Sequence, residues 1–294
     1  MSNPSSSSST HSPVTTAVLA WSLLVILTWL AAMDWVWNSI GLVGMAWGVA
    51  LSSLVTLAVA GTFLWLGRPT RNRLGLRLSA FAWGASVAGL FSIWSQEWLQ
   101  ALVDTHAGIA FGHWFRPLVI TPVTEELSKG AFLLWMLYYR RSQISGLLDG
   151  IVYAGLIGAG FAFSEQIMYF GQIVITYLGS DRLAHTAGVI LAMSFLLRGV
   201  MVPFMHPFFV AFIGIGVAAA TGMRSRAARY LTVLLGFLFP ILLHGIWDWA
   251  GLASGDHFMI YKIYVTVMLP LFLGLAIVAL ILRRRRQSDG GGRW

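Results

Sequence analysis

The segment TPVTEELSKGAFLLW, residues 121–135, places two adjacent carboxylates and an ammonium group in an otherwise apolar stretch. Glu125 and Lys129 are four residues apart, so on a helix they share a face and the ammonium partly neutralises the carboxylates. A glutamate in a low-dielectric setting of this kind is a competent general base near neutral pH. We therefore predict water activation by Glu125 or Glu126, and we prefer Glu125 because it leads the motif and pairs with Lys129.

Further ionisable side chains occur within or beside apolar stretches later in the chain: Glu165 in GFAFSEQ, Arg198, His206, and the pair His244 and Asp248 in HGIWDW. A charged side chain at the centre of a bilayer costs at least about 2.5 to 3.5 kcal/mol, so each one is a candidate functional residue. His244 and Asp248 are four residues apart, a spacing that lets a carboxylate orient an imidazole. Taken singly, a buried histidine is more often a hydrogen-bonded core residue, and Arg198 can simply extend to the membrane interface.

The same side chains are also metal ligands in other proteins. Two histidines and a glutamate form several catalytic zinc sites, so His206, His244 and Glu165 are candidate ligands, with a second glutamate as the base. The H-E-x-x-H signature is absent, and the chain has no cysteine to supply a thiolate ligand or nucleophile. The residues do not decide between two kinds of site. In one they bind a divalent metal such as zinc, and in the other, without a metal, the same groups bind water and the substrate carbonyl.

The composition indicates the medium in which this chemistry takes place. Of the 294 residues, 57% are hydrophobic and 10% are charged, whereas soluble domains carry about 25% charged residues. This predicts an all-α polytopic membrane protein. The net charge of +8 reflects Lys and Arg gathered in loops, which does not favour a nucleic-acid partner.

Apolar runs of about 20 residues predict the membrane-spanning helices. We expect eight spans, near residues 14–33, 41–67, 78–103, 117–139, 147–177, 199–222, 230–251 and 258–282. They form a single transmembrane domain, 14–282, and the candidate catalytic residues named above all lie within its core at about 117–250. Residues 1–13 form a Ser-rich polar tail that we expect to be disordered, and residues 283–294 form a basic tail.

The loop charges predict the orientation of these spans in the membrane. Fourteen of the 19 Lys and Arg residues fall in one set of loops and three in the other, so the positive-inside rule places both termini in the cytoplasm. An additional span at residues 183–197 would break this pattern, and we interpret that stretch as an interfacial or re-entrant helix on the outer side. At a rise of about 1.5 Å per residue, Glu125, Glu165, His206 and His244 then share a layer roughly 10 to 18 Å from the outer boundary.

Four sequence blocks resemble the PrsW family of intramembrane proteases, and more distantly the CAAX-prenyl-protease-like membrane enzymes. EELSK, DGIVYAGLIGAGFAFSEQ, RGVMVPFMHPFFVAFIGIG and LLHGIWDW correspond in order to the family's E-E-x-x-K, F-x-x-x-E, R…H…G and H-x-x-W-[ND] blocks. The resemblance implies a multi-pass protease of the bacterial plasma (inner) membrane that cleaves membrane-anchored proteins near the outer face, such as an anti-sigma factor. It assigns the catalytic positions to five residues: Glu125, Glu126, Glu165, His206 and His244.

A different class of protein can use the same residues. In a proton- or cation-coupled transporter, carboxylates and histidines form a relay through the membrane. Such a protein is expected to contain two halves related by internal symmetry, whereas the polar residues here lie in the fourth to seventh predicted spans only. We therefore prefer the protease, in which Lys129, Arg198 and Asp248 support the catalytic residues.

Overall fold

The computed structural model of the protein describes residues 13–70, 74–179, 184–256 and 258–291, and its regular elements in these ranges are helices. This confirms the predicted all-α class. The α-helices are, in order, α1 (Pro13–Leu66), α2 (Leu74–Trp83), α3 (Gly89–Ala107), α4 (Ile109–Phe115), α5 (Thr121–Tyr139), α6 (Leu147–Leu178), α7 (Ala184–Phe195), α8 (Met205–Gly222), α9 (Arg226–Leu252), α10 (Met259–Ile263) and α11 (Leu269–Gly291).

Short π-helical segments connect several of these helices. They join α2 to α3 (Gly84–Ala88), α4 to α5 (Arg116–Ile120) and α10 to α11 (Tyr264–Met268), and a fourth (Leu196–Met201) follows α7. The predicted interfacial or re-entrant stretch corresponds to α7, whose first described residue is Ala184. A turn at residues 202–204 separates its π-helical extension from α8.

Six helical stretches of the described residues are long and apolar enough to cross a membrane: Thr15–Leu66, Leu74–Ala107, Leu147–Leu178, Leu191–Gly222, Arg226–Leu252 and Met259–Ser288. The difference from the predicted eight has two physical sources. Thr15–Leu66 counts as one stretch of 52 residues, whereas the sequence predicts two spans there. It contains a break at Gly41, where φ is 68° and ψ is 176°. Helix α5 does not qualify by composition, because it carries Glu125, Glu126 and Lys129. The count of eight and the orientation stay predictions, and residues 1–12 of the predicted tail lie outside the described residues.

Helix α6 is the central element of the fold. Its first half is buried, without a break from Leu148 to Ala162. Helices α1, α2 and α8 pack around it. The core between them is aliphatic and aromatic, with Val59, Phe63, Ile151, Ile157 and Ile213 among its buried residues.

Two glycines allow the close helix contacts that set the positions of His206 and His244. A Cβ on Gly158 of α6 would lie 2.5 Å from the backbone nitrogen of Pro207, so only glycine lets α6 approach the first turn of α8 this closely. A Cβ on Gly245 of α9 would lie 2.4 Å from the carbonyl oxygen of Leu118, in the π-helical segment before α5. Small residues permit such contacts in helical membrane proteins. Each of these glycines therefore brings a helix that carries a histidine against its neighbour.

Candidate active site

Four helices contribute the ionisable groups to one region of the bundle. Glu125, Glu126 and Lys129 lie on α5, Glu165 on α6, His206 in the first turn of α8, and His244 and Asp248 on α9. Glu126 and Lys129 are fully buried, and Glu125 and His244 are 4% and 2% exposed. The residues that the sequence predicts as catalytic are therefore neighbours in space.

The ammonium of Lys129 is at the centre of this group. Its Nζ donates to Glu125 Oε2 at 2.8 Å and to Glu126 Oε1 at 3.0 Å, and it lies 3.0 Å from Nδ1 of His206. It also lies 3.8 Å from the ring centre of Phe161. A buried ion needs partners of this kind because removal from water is costly. Lys129 thus holds both carboxylates and one imidazole in a fixed relation.

His206 lies between two carboxylates that come from different helices. Its Nε2 lies 2.7 Å from Glu165 Oε2, while Nδ1 faces Lys129 and lies 3.8 Å from Glu125 Oε2. Since Lys129 can only donate, Nδ1 is the acceptor and Nε2 carries the proton that is donated to Glu165. This tautomer directs the lone pair of Nδ1 at Lys129, on the Glu125 side of the site.

His244 is held by carboxylates at both ring nitrogens. Nδ1 lies 2.9 Å from Glu126 Oε1, and Nε2 lies 3.4 Å from Asp248 Oδ2 and 3.9 Å from Glu125 Oε2. The ring also stacks on Phe209, with 4.7 Å between ring centres. The spacing of His244 and Asp248 predicts their contact, but Glu126 makes the shorter one. A glutamate of the paired motif therefore fixes this imidazole as well.

Arg198 lies beside Glu165. Its guanidinium is 3.7 Å from Glu165 Oε2 and stacks over the ring of Tyr169 at 3.3 Å from the ring centre. Both Arg198 and Glu165 are partly exposed, at 31% and 25% of their side chains. Arg198 is thus paired with a carboxylate of the site.

A cavity of about 690 Å³ opens beside these groups. Its lining includes Glu125, Glu165, Arg198, His206, His244 and Asp248, whereas Glu126 and Lys129 are not among the lining residues. Among the two paired glutamates, Glu125 is therefore the one that a bound water or substrate can reach.

Four of the side chains have the geometry of a metal site. One donor atom each from Glu125, Glu126, His206 and His244 falls within 4.8 Å of the others. The set combines carboxylates and imidazoles, which suit zinc, and the buried Oε2 of Glu126 has no hydrogen-bond partner among the described residues. The donor set therefore fits a divalent metal. Glu165, the other predicted ligand, lies outside this group. It contacts Nε2 of His206, whereas Nδ1 is the nitrogen that faces Glu125.

Two residues that touch charged groups of the site, Gln96 and Tyr169, are absent from the predictions. Gln96 of α3 donates from its amide to Glu125 Oε1 at 3.2 Å, and Tyr169 of α6 lies beneath Arg198. Gln96 carries no charge and stands among other polar residues, beside Glu97 in the stretch SIWSQEWLQ, so the sequence does not set it apart. Tyr169 gives no signal either, because aromatic residues are common in membrane helices.

Comparison with known proteins identifies the family. Residues 72–275, well over half of the chain and including every site residue named above, match the sequence profile described as PrsW family intramembrane metalloprotease. The chain belongs to this family. The resemblance of the four sequence blocks to PrsW proteases is thereby confirmed.

Individual relatives agree with the family match. A protein named protease PrsW from Oceanobacillus iheyensis is 27% identical over 165 residues, covering 56% of this chain and 64% of that protein. The protease PrsW of Geobacillus kaustophilus is 28% identical over 145 residues, 47% of this chain and 56% of that protein. The match therefore spans less than two thirds of both relatives. The protease PrsW of Halalkalibacterium halodurans is 25% identical over 238 residues, 78% of this chain and 94% of that protein. No solved structure is significantly similar to the chain.

Proposed function

We propose that the protein is an intramembrane endopeptidase that hydrolyses peptide bonds of membrane-anchored proteins. The observation that carries this proposal is the convergence of Glu125, Glu126, His206 and His244, from three helices, within 4.8 Å and beside a cavity of about 690 Å³. Peptide hydrolysis in a membrane needs a base, groups that stabilise the developing oxyanion, and a space that admits water and an extended backbone. All three are supplied by this chain.

Glu125 is the general base in this proposal. It lines the cavity, and Lys129 holds one of its carboxylate oxygens at 2.8 Å. Glu125 takes a proton from a water molecule in the cavity as that water attacks the scissile carbonyl, and it later returns the proton to the leaving amine. Glu126, which lines no part of that cavity, fixes Lys129 and His244 in place.

His206 and His244 face the reacting groups from α8 and α9. His206 is oriented by Glu165, and His244 by Glu126 and Asp248. At Nε2 the closest contact of His244 is the longer one of 3.4 Å to Asp248, so this nitrogen can turn its N–H toward the negative charge that develops on the carbonyl oxygen. Arg198, paired with Glu165 at the cavity wall, neutralises the acidic side of the site.

The same groups would hold a divalent metal such as zinc. His206, His244 and Glu126 would be its ligands, while Glu165, predicted from the sequence as a ligand, would orient His206 through the other ring nitrogen. When bound, such a metal polarises the scissile carbonyl and acidifies an attached water. Glu165 occupies Nε2 of His206 and the ammonium of Lys129 occupies Nδ1, so Lys129 must withdraw from Nδ1 to admit a metal ion there.

The charge asymmetry of the loops supports cleavage near the outer face of a plasma membrane, with both termini in the cytoplasm. A membrane-anchored regulator of the anti-sigma type is the substrate that we propose from the family resemblance. Its cleavable segment would enter the cavity from the surrounding bilayer.

Purified protein in liposomes tests the proposal against its rival, a proton- or cation-coupled transporter. We expect cleavage of a single-span reporter protein co-reconstituted with the enzyme, and no proton or cation flux across the same liposomes. A chelator should stop cleavage and added zinc should restore it, with the metal content followed by elemental analysis. Flux without cleavage would overturn the protease proposal in favour of the transporter.

A further inference from the structure

The amide of Gln96 connects α3 to the base on α5. Its Nε2 donates to Glu125 Oε1 at 3.2 Å, and its Oε1 accepts from the hydroxyl of Thr121 at 3.4 Å. Thr121 lies one helical turn before Glu125 on α5. Gln96, Thr121 and Glu125 all line the large cavity. One side chain of α3 therefore spans two positions on the same face of α5.

This contact completes the restraint of the Glu125 carboxylate. Lys129 holds Oε2 at 2.8 Å, and Gln96 holds Oε1. With one oxygen held, a carboxylate can still pivot about that contact; with both held, its plane and its direction in the cavity are fixed. A catalytic group placed in error by about 1 Å can lose about 100-fold in rate.

We propose that Gln96 is a positioning residue that fixes the Glu125 carboxylate for attack on the peptide bond. The inference rests on the proposed function, in which Glu125 is the base. Gln96 acts through Glu125 and takes up no proton itself. Its role is distinct from that of Lys129, because the amide restrains Glu125 without adding a second positive charge beside it.

The chemistry of an amide suits this position better than that of other side chains. Glutamine offers a donor and an acceptor on one planar group. Because the hydroxyl of Thr121 occupies the amide oxygen, the amino group is turned toward Glu125. A glutamate at position 96 would present a second carboxylate to Glu125, and a methionine would fill the same space without a donor.

Steady-state cleavage of the reporter by Gln96→Met tests the inference, with Gln100→Met as the matched control. Gln100 is one turn further along α3, donates to Asp104 Oδ1 at 2.7 Å, and is not among the cavity-lining residues. We expect Gln96→Met to lower kcat about 10- to 100-fold with an unchanged KM, because the restraint matters for the chemical step. Gln100→Met should keep the wild-type kcat.

A double-mutant cycle with Thr121→Val separates positioning from general packing. Thr121→Val should lower kcat in the same direction but by less, and adding it to Gln96→Met should cause no further loss, since Thr121 acts through the amide. The unfolding temperature in detergent should be the same for Gln96→Met and Gln100→Met.

The outcomes distinguish this inference from the function on which it rests. Wild-type kcat in Gln96→Met, an equal loss in Gln100→Met, or fully additive losses with Thr121→Val would each overturn the positioning role while the protease proposal stands. A wild-type protein that does not cleave, or a Glu125→Gln variant that cleaves normally, overturns the proposed function itself.

Discussion

Two of the regions in which the described residues bury ionisable groups differ in what surrounds those groups. At the start of α6, Asp149 is 1% exposed and its Oδ2 accepts from both the backbone nitrogen and the hydroxyl of Ser145. Arg286 of α11 donates to the same hydroxyl. In the active-site region, Glu125 and His244 are equally well buried, but they face a cavity and groups from several other helices.

Burial of a charged side chain does not by itself indicate a catalytic role. Asp149 accepts hydrogen bonds from the backbone and the hydroxyl of Ser145, which precedes α6, as a helix-capping residue does. It is not among the residues that line the large cavity. The carboxylates of the active site instead converge with imidazoles around a space that a substrate can enter. Convergence beside a cavity, more than burial, is what distinguishes the two regions.

Loss of either histidine should have the largest effect considered in this comparison. We expect His206→Ala and His244→Ala to reduce cleavage by at least about 100-fold, since positioned groups of this kind contribute about 10² to 10⁴ in rate. Bound metal, measured by elemental analysis, should fall in both variants. His113→Ala is the matched control, because His113 lines the cavity outside the converging group. Wild-type cleavage and metal content in both site variants would remove the distinction between the two regions.

The helix contact at Gly158 offers a way to disturb one region without the other. In Gly158→Ala the new Cβ would meet the backbone of His206 and Pro207, so the first turn of α8 must shift. Gly150 lies near the start of α6, next to Asp149. In Gly150→Ala the new Cβ would meet the carbonyl oxygen of Gly214 on α8. Overpacking costs about 1 to 3 kcal/mol at either position.

Cleavage assays and thermal unfolding in detergent separate the two glycine variants. Both should unfold at a lower temperature, while the folded fraction of Gly158→Ala should cleave at least several-fold more slowly than that of Gly150→Ala. Equal cleavage rates per folded molecule would show that the position of His206 does not depend on this contact.

Removal of the Asp149 carboxylate should have the smallest effect on catalysis. We expect Asp149→Ala to lower the free energy of unfolding by about 1 to 2 kcal/mol, the usual cost of losing a cap or a charged hydrogen bond. The rate per folded molecule should be unchanged. Asp34→Ala, at an exposed position of α1, serves as the control, with an expected change within about 0.5 kcal/mol. A loss of rate without a loss of stability would make Asp149 part of the functional site.

Much of the site follows from the sequence because charges are rare and costly in a membrane. Glu125, Glu165, His206 and His244 are identifiable from their types alone, and their similar predicted depth anticipates that they lie together. The spacing of Glu125 and Lys129 likewise anticipates their ion pair, which the structure contains at 2.8 Å.

The remaining features depend on how each helix is rotated and how closely it packs. The sequence does not indicate that Glu165 faces the far nitrogen of His206, or that Glu126 contacts His244, because both contacts join separate helices. Gln96 is missed because a neutral amide carries no charge to mark it. The same charges that reveal the site on α5 also reduce its hydropathy, which is why α5 is absent from the six candidate spans.

Cleavage of a single-span reporter in liposomes by Glu125→Gln, beside Glu97→Gln, tests most directly whether the converging carboxylates perform hydrolysis. Glu97 also lines the cavity, but it is 62% exposed and pairs with Arg116. Wild type and Glu97→Gln should cleave at similar rates, whereas Glu125→Gln, which keeps the size of the side chain and removes the base, should be about 10² to 10⁴ times slower. Cleavage by Glu125→Gln at the wild-type rate would contradict a catalytic role for this site.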